Sequence, residues 1–577
     1  MLSLKILQLA SGRKVLFLIF FCLMVFFWHL GLLPFYTRNE AREGLVVWEM
    51  ARTGNWTLPK INGDYIPFKP PLFHWMGVLV AKITGRVDEF TIRFPSALLA
   101  TLGVLLTYFA AARLWNEKAG IVAGLTLATS TEWWNSALIA EVDMTLAFFV
   151  TATLLLFYFA YEAQRVEPIK SFLLGALLAC ATLAKGPIGT LVPALVILVF
   201  LTIRRDLAFL IKINFVIVAA VFLLIAGTWY FLAWREGGWA FLQRQILEEN
   251  FGTARGTFGH YQSYLYFPPM FFFNFLPWSL FIPSIVLFLY QRRHSLSESR
   301  LLFPLIWFLS VLLFFTIPTG KRAIYILPLY PAAALLFGAW WSELEKSPRW
   351  PDWLTAATAY IVAAAGLLAV FGMLSSLAMH GSRLSSPSKP IATAADFLYS
   401  FAPLPAVAWV CLVCLGAASL VIFWFLPRRK WHAVLIALVL IATSAAIFLQ
   451  TTFHAVFAAE RTLKPFLLRV RERVHPNDRL FFYDVFDGNA IFYTRRHIRF
   501  YKPEERPDGR PIFLLMHEEN WQRLSKTNPL TMVDISEGGG PTGRHREVLV
   551  KAQANWHEAQ SQLPNDRSRI TDEPTAE

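Results

Sequence analysis

Acidic side chains that could take part in group transfer stand at the edges of apolar segments. Glu40 and Arg42 lie in the stretch RNEAREGLVVWEM, and Asp143 lies in LIAEVDMTLAFF. A carboxylate held at such a position can take a proton from a hydroxyl group. Glu43 follows Glu40 by three residues, and we expect it to be structural, because the helix dipole favours acidic residues in a first turn.

Cationic side chains occur at the edges of other apolar segments. Lysine and arginine can hold a phosphate group, and arginine can do so with two parallel hydrogen bonds. Taken singly, each has a structural explanation, such as a lysine that extends toward the membrane surface. Together with the carboxylates they suit transfer of a group from a lipid phosphate, whose leaving phosphate must be stabilised. The candidate phosphate-binding cations are Lys69, Lys185, Arg255, Lys321 and Arg322, and His260 and Tyr325 lie near them in the same motifs.

The composition is that of a membrane protein. Hydrophobic residues make up 56% of the 577 residues and charged residues 16%, below the roughly 25% of an average soluble domain. Apolar runs long enough to cross a bilayer recur along most of the chain and predict about thirteen spans. The net charge of +14 is spread over short segments between these runs. That distribution favours membrane lipid as a partner and argues against nucleic acid.

Basic residues set the predicted orientation. With a cytoplasmic N-terminus, every inner segment carries lysine or arginine, as the positive-inside rule requires. An odd number of spans then places the C-terminus on the outer side. Lys185, Lys321 and Arg322 fall in short outer turns, against this bias, and an anionic substrate on that face would explain them.

Three segments follow from these patterns. Residues 1–450 are predicted to form the membrane domain, with an outer loop at 34–93 that contains surface helices. Residues 451–563 read as short strands joined to helices, which predicts a small outer α/β domain, and the polar tail 564–577 is expected to be disordered. In the outer loop we predict a helix from Glu40 to Thr53 at the membrane surface, with Asn39 as its N-cap and Gly54 after its end.

The order of the motifs resembles a known family. NEAR, KPPLFHW, a span beginning near an Asp, AKGP, FLPW and GKRAIYILPLYP are similar to motifs of the bacterial membrane glycosyltransferases of the type-C fold. The resemblance runs from about residue 16 to residue 331 and is nearest to lipid A aminoarabinose transferases and protein mannosyltransferase-like enzymes. It implies inverting transfer of a sugar from a polyprenyl-phosphate donor to a lipid or protein acceptor, at the periplasmic face of the bacterial inner membrane.

The resemblance also implies roles for individual residues. Glu40 matches the first-loop carboxylate near the reaction centre, Asp143 matches a second acidic residue, and Lys69 matches a lysine that contacts the carrier phosphate. Apart from the resemblance, the charges of Arg42, Lys185 and Arg255 make them further expected phosphate contacts, and Arg42 is also an expected partner of Glu40. Lys321, Arg322 and Tyr325 match the late outer turn of the family.

Two positions depart from the family pattern. Asn39 stands where the family usually has Asp, which leaves Glu40 as the carboxylate of that motif. Phe68 stands where the aminoarabinose transferases have a Glu that helps a histidine, matched by His260, to hold a metal. The sequence therefore leaves a divalent metal at His260 open and favours stabilisation of the phosphate by Lys and Arg.

A second class of function also fits a chain of this kind. A non-enzymatic transporter of lipid-linked sugars, or a membrane scaffold with a periplasmic binding domain, would need no catalytic carboxylate. A transporter is expected to show internal repeats and charges near the bilayer midplane, whereas here no repeat is visible and the ionisable residues gather at one face. We expect a monomeric enzyme whose sugar and acceptor the sequence does not identify.

Overall fold

Helices and one small sheet account for the regular structure in the computed structural model. It describes residues 12–63, 67, 69–252, 261–296, 300–344, 352–382, 404–501, 511–526, 530–540 and 545–552. The chain divides into two compact units, which are described separately. The first contains Met1–Trp28, Pro95–Leu232 and Gln243–His454; the second contains His29–Phe94, Ala233–Leu242 and Ala455–Glu577. The loop at 34–93 thus belongs to the same unit as the C-terminal segment.

The chain is a multi-pass membrane protein. Within the described residues, eight helices are long and apolar enough to cross a membrane, and a pair bent by 111° would make a ninth. These segments confirm the predicted polytopic helical fold, but they do not fix the number of spans at thirteen. The eight are Glu89–Leu114, Val142–Glu162, Pro168–Lys185, Phe215–Glu249, Ala323–Leu344, Trp353–Ala378, Ala406–Phe425 and Trp431–Arg461; the bent pair is Phe267–Asn274 with Trp278–Gln291.

Other helices of the first unit are shorter. They are Gly12–Cys22 with its continuation Leu23–Phe27, Glu117–Ala128, Thr131–Leu138, Ile188–Ile203, Phe209–Lys212 and Leu302–Thr316. Small residues let some of these helices approach closely, as is common between membrane helices. At Gly338, for example, an added Cβ would lie 2.5 Å from the backbone oxygen of Ala119. The indole Nε1 of Trp278 donates to Thr129 Oγ1 at 3.1 Å, which ties the bent pair to the segment after Glu117–Ala128.

The second unit contains a five-stranded mixed sheet. Strand β1 (Arg479–Phe482) pairs in parallel with β2 (Arg499–Phe500) and β3 (Ile512–His517), while β5 (Glu547–Ala552) is antiparallel to both β3 and β4 (Leu530–Ile535). The strand order is β2-β1-β3-β5-β4. This sheet confirms the small α/β fold predicted near the C-terminus. The predicted tail at 564–577 lies outside the described residues. The helices of this unit are Arg38–Thr53, Leu72–Thr84, Lys464–Arg473, Gly488–Thr494 and Glu518–Leu524.

The helix Arg38–Thr53, here called the loop helix, begins earlier than predicted. Its N-cap is Thr37, whose side-chain oxygen accepts from the backbone N–H of Glu40 at 3.2 Å. The prediction of Asn39 as N-cap was wrong because Thr37 already supplies the extended backbone and hydroxyl oxygen that an N-cap requires. Gly54 ends the helix with a φ of 71°, as predicted.

The loop helix packs closely within the second unit. At Gly44 an added Cβ would lie 3.1 Å from the ring of Phe35 and 3.3 Å from that of Phe492. At Gly77 an added Cβ would lie 2.8 Å from Val47. The helix Gly488–Thr494 of the α/β domain therefore holds one side of the loop helix, and Leu72–Thr84 holds another.

Two buried carboxyl groups meet where the helix Gly488–Thr494 begins. Asp487 caps this helix through the N–H of Asn489 at 2.7 Å, and its side chain also contacts Glu547, which is 3% exposed. Burial, together with the neighbouring Asp487, raises the pKa of Glu547 well above its ordinary value. One proton shared between the two groups avoids placing two negative charges together in the interior.

This pair predicts a pH-dependent stability that Glu547→Gln should reduce. A carboxyl group whose pKa is raised in the folded state contributes its full stabilisation when the pH is below the pKa of the unfolded state, here about 4.5. That contribution is lost as the pH rises through the pKa of the folded state. Thermal unfolding of the full chain in detergent would be measured from pH 5 to pH 9. The midpoint temperature should fall less steeply with rising pH for Glu547→Gln than for wild type. Parallel curves would show that the pair does not share a proton.

Candidate functional site

Asp143 and Lys185 meet in the first unit, at the ends of two consecutive spans. Asp143 lies in the first turn of Val142–Glu162, and Lys185 is the last residue of Pro168–Lys185. The Lys185 ammonium donates to Asp143 Oδ1 and lies 4.4 Å from the ring centroid of Tyr325. Asp143 is 4% exposed. The sequence motifs at these three residues thus converge on one cluster.

The turn after Lys185 depends on glycine. Gly186 has a φ of 80°, a conformation that glycine adopts without steric cost, and Pro187 then opens the helix Ile188–Ile203. At Gly189 an added Cβ would lie 2.2 Å from the backbone carbonyl of Ala181. The AKGP motif therefore sets the direction of the chain after Lys185, where the helix Pro168–Lys185 ends.

Gly189→Ala is expected to disrupt this turn. The methyl group would meet main-chain atoms that do not rotate away, and overpacking of this kind costs about 1–3 kcal/mol or more. The midpoint of thermal unfolding should be clearly lower for Gly189→Ala than for wild type. It should change little for the control Gly227→Ala, because the added Cβ would approach only side-chain atoms of Leu223, the nearest at 3.4 Å. Equal stability of the two variants would contradict the close approach at Gly189.

A second ion pair lies beside this cluster. Arg322 Nη2 donates to Glu141 Oε1 at 3.1 Å, and the carboxylate of Glu141 raises the pKa of Arg322 above its ordinary value. Arg322 also interacts electrostatically with Asp143. Glu132, which the sequence analysis missed, interacts electrostatically with Glu141, Asp143 and Arg322. The cluster therefore holds three acidic side chains, and two cations neutralise part of their charge.

Lys321 lies beside Arg322 in sequence but contacts a different segment. Its ammonium donates to the backbone oxygen of Gln262 at 3.3 Å and lies 5.1 Å from the ring centroid of Tyr264. A backbone hydrogen bond from Gln262 to Thr319, at 3.0 Å, joins the two segments. Lys321 is 2% exposed. These contacts hold the turn at Lys321 against the segment of Gln262 and Tyr264.

Glu40 lies in the second unit and is completely buried. Arg93 Nε donates to Glu40 Oε1 at 2.7 Å, and Arg93 Nη2 donates to Glu40 Oε2 at 3.3 Å. The same guanidinium donates to three backbone oxygens, those of Leu30, Leu33 and Pro34, at 2.6–3.1 Å. The pair of Glu40 with Arg93 was not predicted from the sequence.

Arg42 contacts Glu43. Arg42 Nε and Nη2 donate to Glu43 Oε1 at 3.3 and 3.0 Å, while the ring Nε2 of His74 lies 2.5 Å from Glu43 Oε2. Burial alone would raise the pKa of Glu43, but Arg42 and His74 hold it at about 2. Glu43 is therefore ionised at neutral pH, and because a carboxylate only accepts, Nε2 of His74 is the donor in this contact.

Lys69 stands partly exposed before Pro70 and Pro71, which precede the helix Leu72–Thr84. Arg255, His260 and Phe68 lie outside the described residues, so the structure does not test the predicted phosphate contact at Arg255 or a metal at His260. In the part of the chain that is described, no group of three or more His, Cys, Asp and Glu side chains could hold a metal ion.

Comparison with known proteins shows the family to which the chain belongs. An uncharacterized protein of Aquifex aeolicus (strain VF5) is 33% identical over 333 residues, which cover 56% of this chain and 73% of that protein. Residues 68–231 match the family model described as dolichyl-phosphate-mannose-protein mannosyltransferase. The crystal structure of ArnT from Cupriavidus metallidurans bound to undecaprenyl phosphate shares the fold, with a TM-score of 0.74, 22% identity, and coverage of 95% of this chain and 99% of that one. The chain belongs to the type-C membrane glycosyltransferases.

A named relative of this glycosyltransferase matches over a shorter length. The undecaprenyl phosphate-alpha-4-amino-4-deoxy-L-arabinose arabinosyl transferase 1 of Pseudomonas fluorescens (strain Pf0-1) is 28% identical over 305 residues. The match covers 52% of each protein, about half the length of that relative. The predicted family and its type-C fold are thus confirmed.

Proposed function

We propose that this glycosyltransferase moves a sugar from a polyprenyl-phosphate donor to a lipid or other cell-envelope acceptor, at the periplasmic face of the bacterial inner membrane. The observation that carries the proposal is the contact of Asp143 with Lys185, which joins a carboxylate to a cation of the phosphate-binding type. The names of the relatives support a donor of this class: one is an undecaprenyl-phosphate arabinosyl transferase, and the related fold was solved with undecaprenyl phosphate.

The proposed reaction is a single displacement at the anomeric carbon. The bond from this carbon to the phosphate oxygen breaks, and a bond from an acceptor hydroxyl oxygen forms on the opposite face of the sugar. The proton of the acceptor hydroxyl passes to a carboxylate, and polyprenyl phosphate leaves with the electron pair of the broken bond. The configuration of the sugar is inverted as a result.

Asp143 is the carboxylate that the geometry favours as the base. A donor phosphate that approached Lys185 would compete with Asp143 for the ammonium group, and a released Asp143 could accept a proton. Lys185 and Arg322 would stabilise the negative charge that builds up on the leaving phosphate. Tyr325 can donate its phenolic hydrogen to the same group.

Glu40 and the remaining cations enter the proposal through the family motifs. Glu40 stays a proposed catalytic residue on the strength of its position in the NEAR motif, and its pair with Arg93 gives it a further role in holding the first loop. Arg42 and Lys69 are proposed contacts of the carrier phosphate. Arg255 and Lys321 remain predicted phosphate contacts, and a metal at His260 remains open.

Membranes from cells that express the chain provide the test. They would be incubated with a panel of undecaprenyl-phosphate sugars labelled in the sugar, and the label would be followed into extracted lipid and protein. We expect transfer of at least one sugar, lost in Asp143→Asn membranes that contain the same amount of protein. Movement of an intact labelled carrier across vesicles, without transfer, would instead support the transporter alternative.

A further inference from the structure

The loop helix carries two similar networks of buried charge, six residues apart. In each, one oxygen of a glutamate accepts from Nε and Nη2 of an arginine, and the other oxygen contacts Nε2 of a histidine. The first network is Arg42, Glu43 and His74, and the second is Arg52, Glu49 and His497. The two share their chemistry, so the second serves as an internal control for the first.

The networks differ in what they fix. Glu43 and His74 are both buried, at 3% and 1% exposure, while the Arg42 side chain remains 38% exposed. His74 lies on the helix that Lys69 and two prolines precede. The first network therefore joins the segments of two proposed phosphate contacts, whereas His497 joins the loop helix to the α/β domain.

We propose that Glu43 and His74 are positioning residues that hold Arg42 in the orientation needed to bind the carrier phosphate. This inference rests on the proposed function, in which Arg42 contacts that phosphate. Glu43 accepts from both Nε and Nη2 of the guanidinium, and two hydrogen bonds to one oxygen restrict the rotation of that group. His74 fixes the other oxygen of the carboxylate and thereby its plane.

The physical gain is preorganisation. An unrestrained arginine loses rotamer freedom when it binds an anion, and a side chain already fixed in its bound orientation avoids that cost. Glu43 is ionised and buried, so its hydrogen bonds to the guanidinium are charge-assisted and among the stronger kind. Loss of Glu43 would leave the positive charge of Arg42 in place but would no longer fix the orientation of its guanidinium.

Binding of undecaprenyl phosphate to the full chain in nanodiscs tests this, with undecaprenol as the probe that lacks phosphate. We expect Glu43→Gln to weaken binding of undecaprenyl phosphate about tenfold, and the control Glu49→Gln to leave it unchanged although both variants lower thermal stability. In an Arg42→Ala background, Glu43→Gln should have no further effect on binding, because a positioning residue acts through its partner.

The results distinguish failure of carrier binding from failure of the positioning role of Glu43. Wild type that binds undecaprenyl phosphate no better than undecaprenol would overturn the proposed carrier and the inference with it. Wild type that binds, with Glu43→Gln equal to Glu49→Gln or additive with Arg42→Ala, would overturn the inference alone. If Glu43→Gln does not fold, His74→Gln compared with His497→Gln decides by the same criteria.

Discussion

Asp143→Asn should reduce sugar transfer by about 100-fold to 10,000-fold, the range expected for loss of a general base. Asparagine keeps the shape of the side chain but neither accepts a proton at neutral pH nor balances the charge of Lys185. The initial rate of label transfer from an undecaprenyl-phosphate sugar measures the effect.

A matched control exists in the same unit. Glu117 forms an ion pair with Lys14, and both side chains are more than a third exposed, so Glu117→Gln should transfer sugar at the wild-type rate. If Asp143→Asn kept a tenth or more of the wild-type rate, Asp143 would not be the base. The assignment would then pass to Glu40.

Loss of Arg93 should destabilise the second unit more than loss of any exposed arginine. Arg93→Gln leaves the carboxylate of Glu40 buried without its cation, and removal of one partner from a buried ion pair costs about 3–5 kcal/mol. Three backbone oxygens lose a charged donor at the same time. Thermal unfolding of the full chain in detergent should show a large decrease in midpoint.

Arg86→Gln is the control for that variant. Arg86 pairs with Asp88, but its side chain is 66% exposed, and exposed ion pairs contribute about 0–1 kcal/mol. Equal unfolding midpoints for Arg93→Gln and Arg86→Gln would contradict the structural role of the Glu40 pair. Glu40→Gln should cost less stability than Arg93→Gln, because glutamine is neutral and can still accept a hydrogen bond.

The parts of the cluster in the first unit that the sequence predicted share one property. Asp143, Lys185 and Arg322 are charged residues at the ends of apolar segments, and two of them also break the orientation bias. Both signals are local, so they can be read without the fold. The direct contact of Lys185 with Asp143 could not be predicted, because it depends on the turn at Gly186 and on how two spans pack.

The residues that the sequence analysis missed depend on contacts across long separations. Arg93 reads as the basic end of a loop, yet it pairs with Glu40, fifty-three positions earlier. In the sequence, His74 is a single histidine within an apolar helix. It contacts Glu43 only because the helix Leu72–Thr84 packs against the loop helix. The N-cap differed because Thr37 and Asn39 both suit that position, and the choice lies with the backbone of Thr37.

Neighbouring residues can also have unrelated partners. Lys321 and Arg322 are adjacent and were predicted together, yet Lys321 secures the turn to Gln262 while Arg322 pairs with Glu141. The extended backbone at Arg322 points successive side chains in different directions. A motif therefore identifies a turn more securely than the role of each residue within it.

Incubation of a doubly labelled donor with the purified chain shows whether this protein transfers sugar. The full chain in nanodiscs would receive an undecaprenyl-phosphate sugar labelled in both the sugar and the phosphate, together with extracted envelope lipids. We predict that the two labels separate, with one undecaprenyl phosphate released for each sugar transferred to an acceptor. The experiment would be repeated with each undecaprenyl-phosphate sugar of the panel used for the membrane assay. If both labels remained on one molecule for every one of these donors, the result would contradict sugar transfer by this protein.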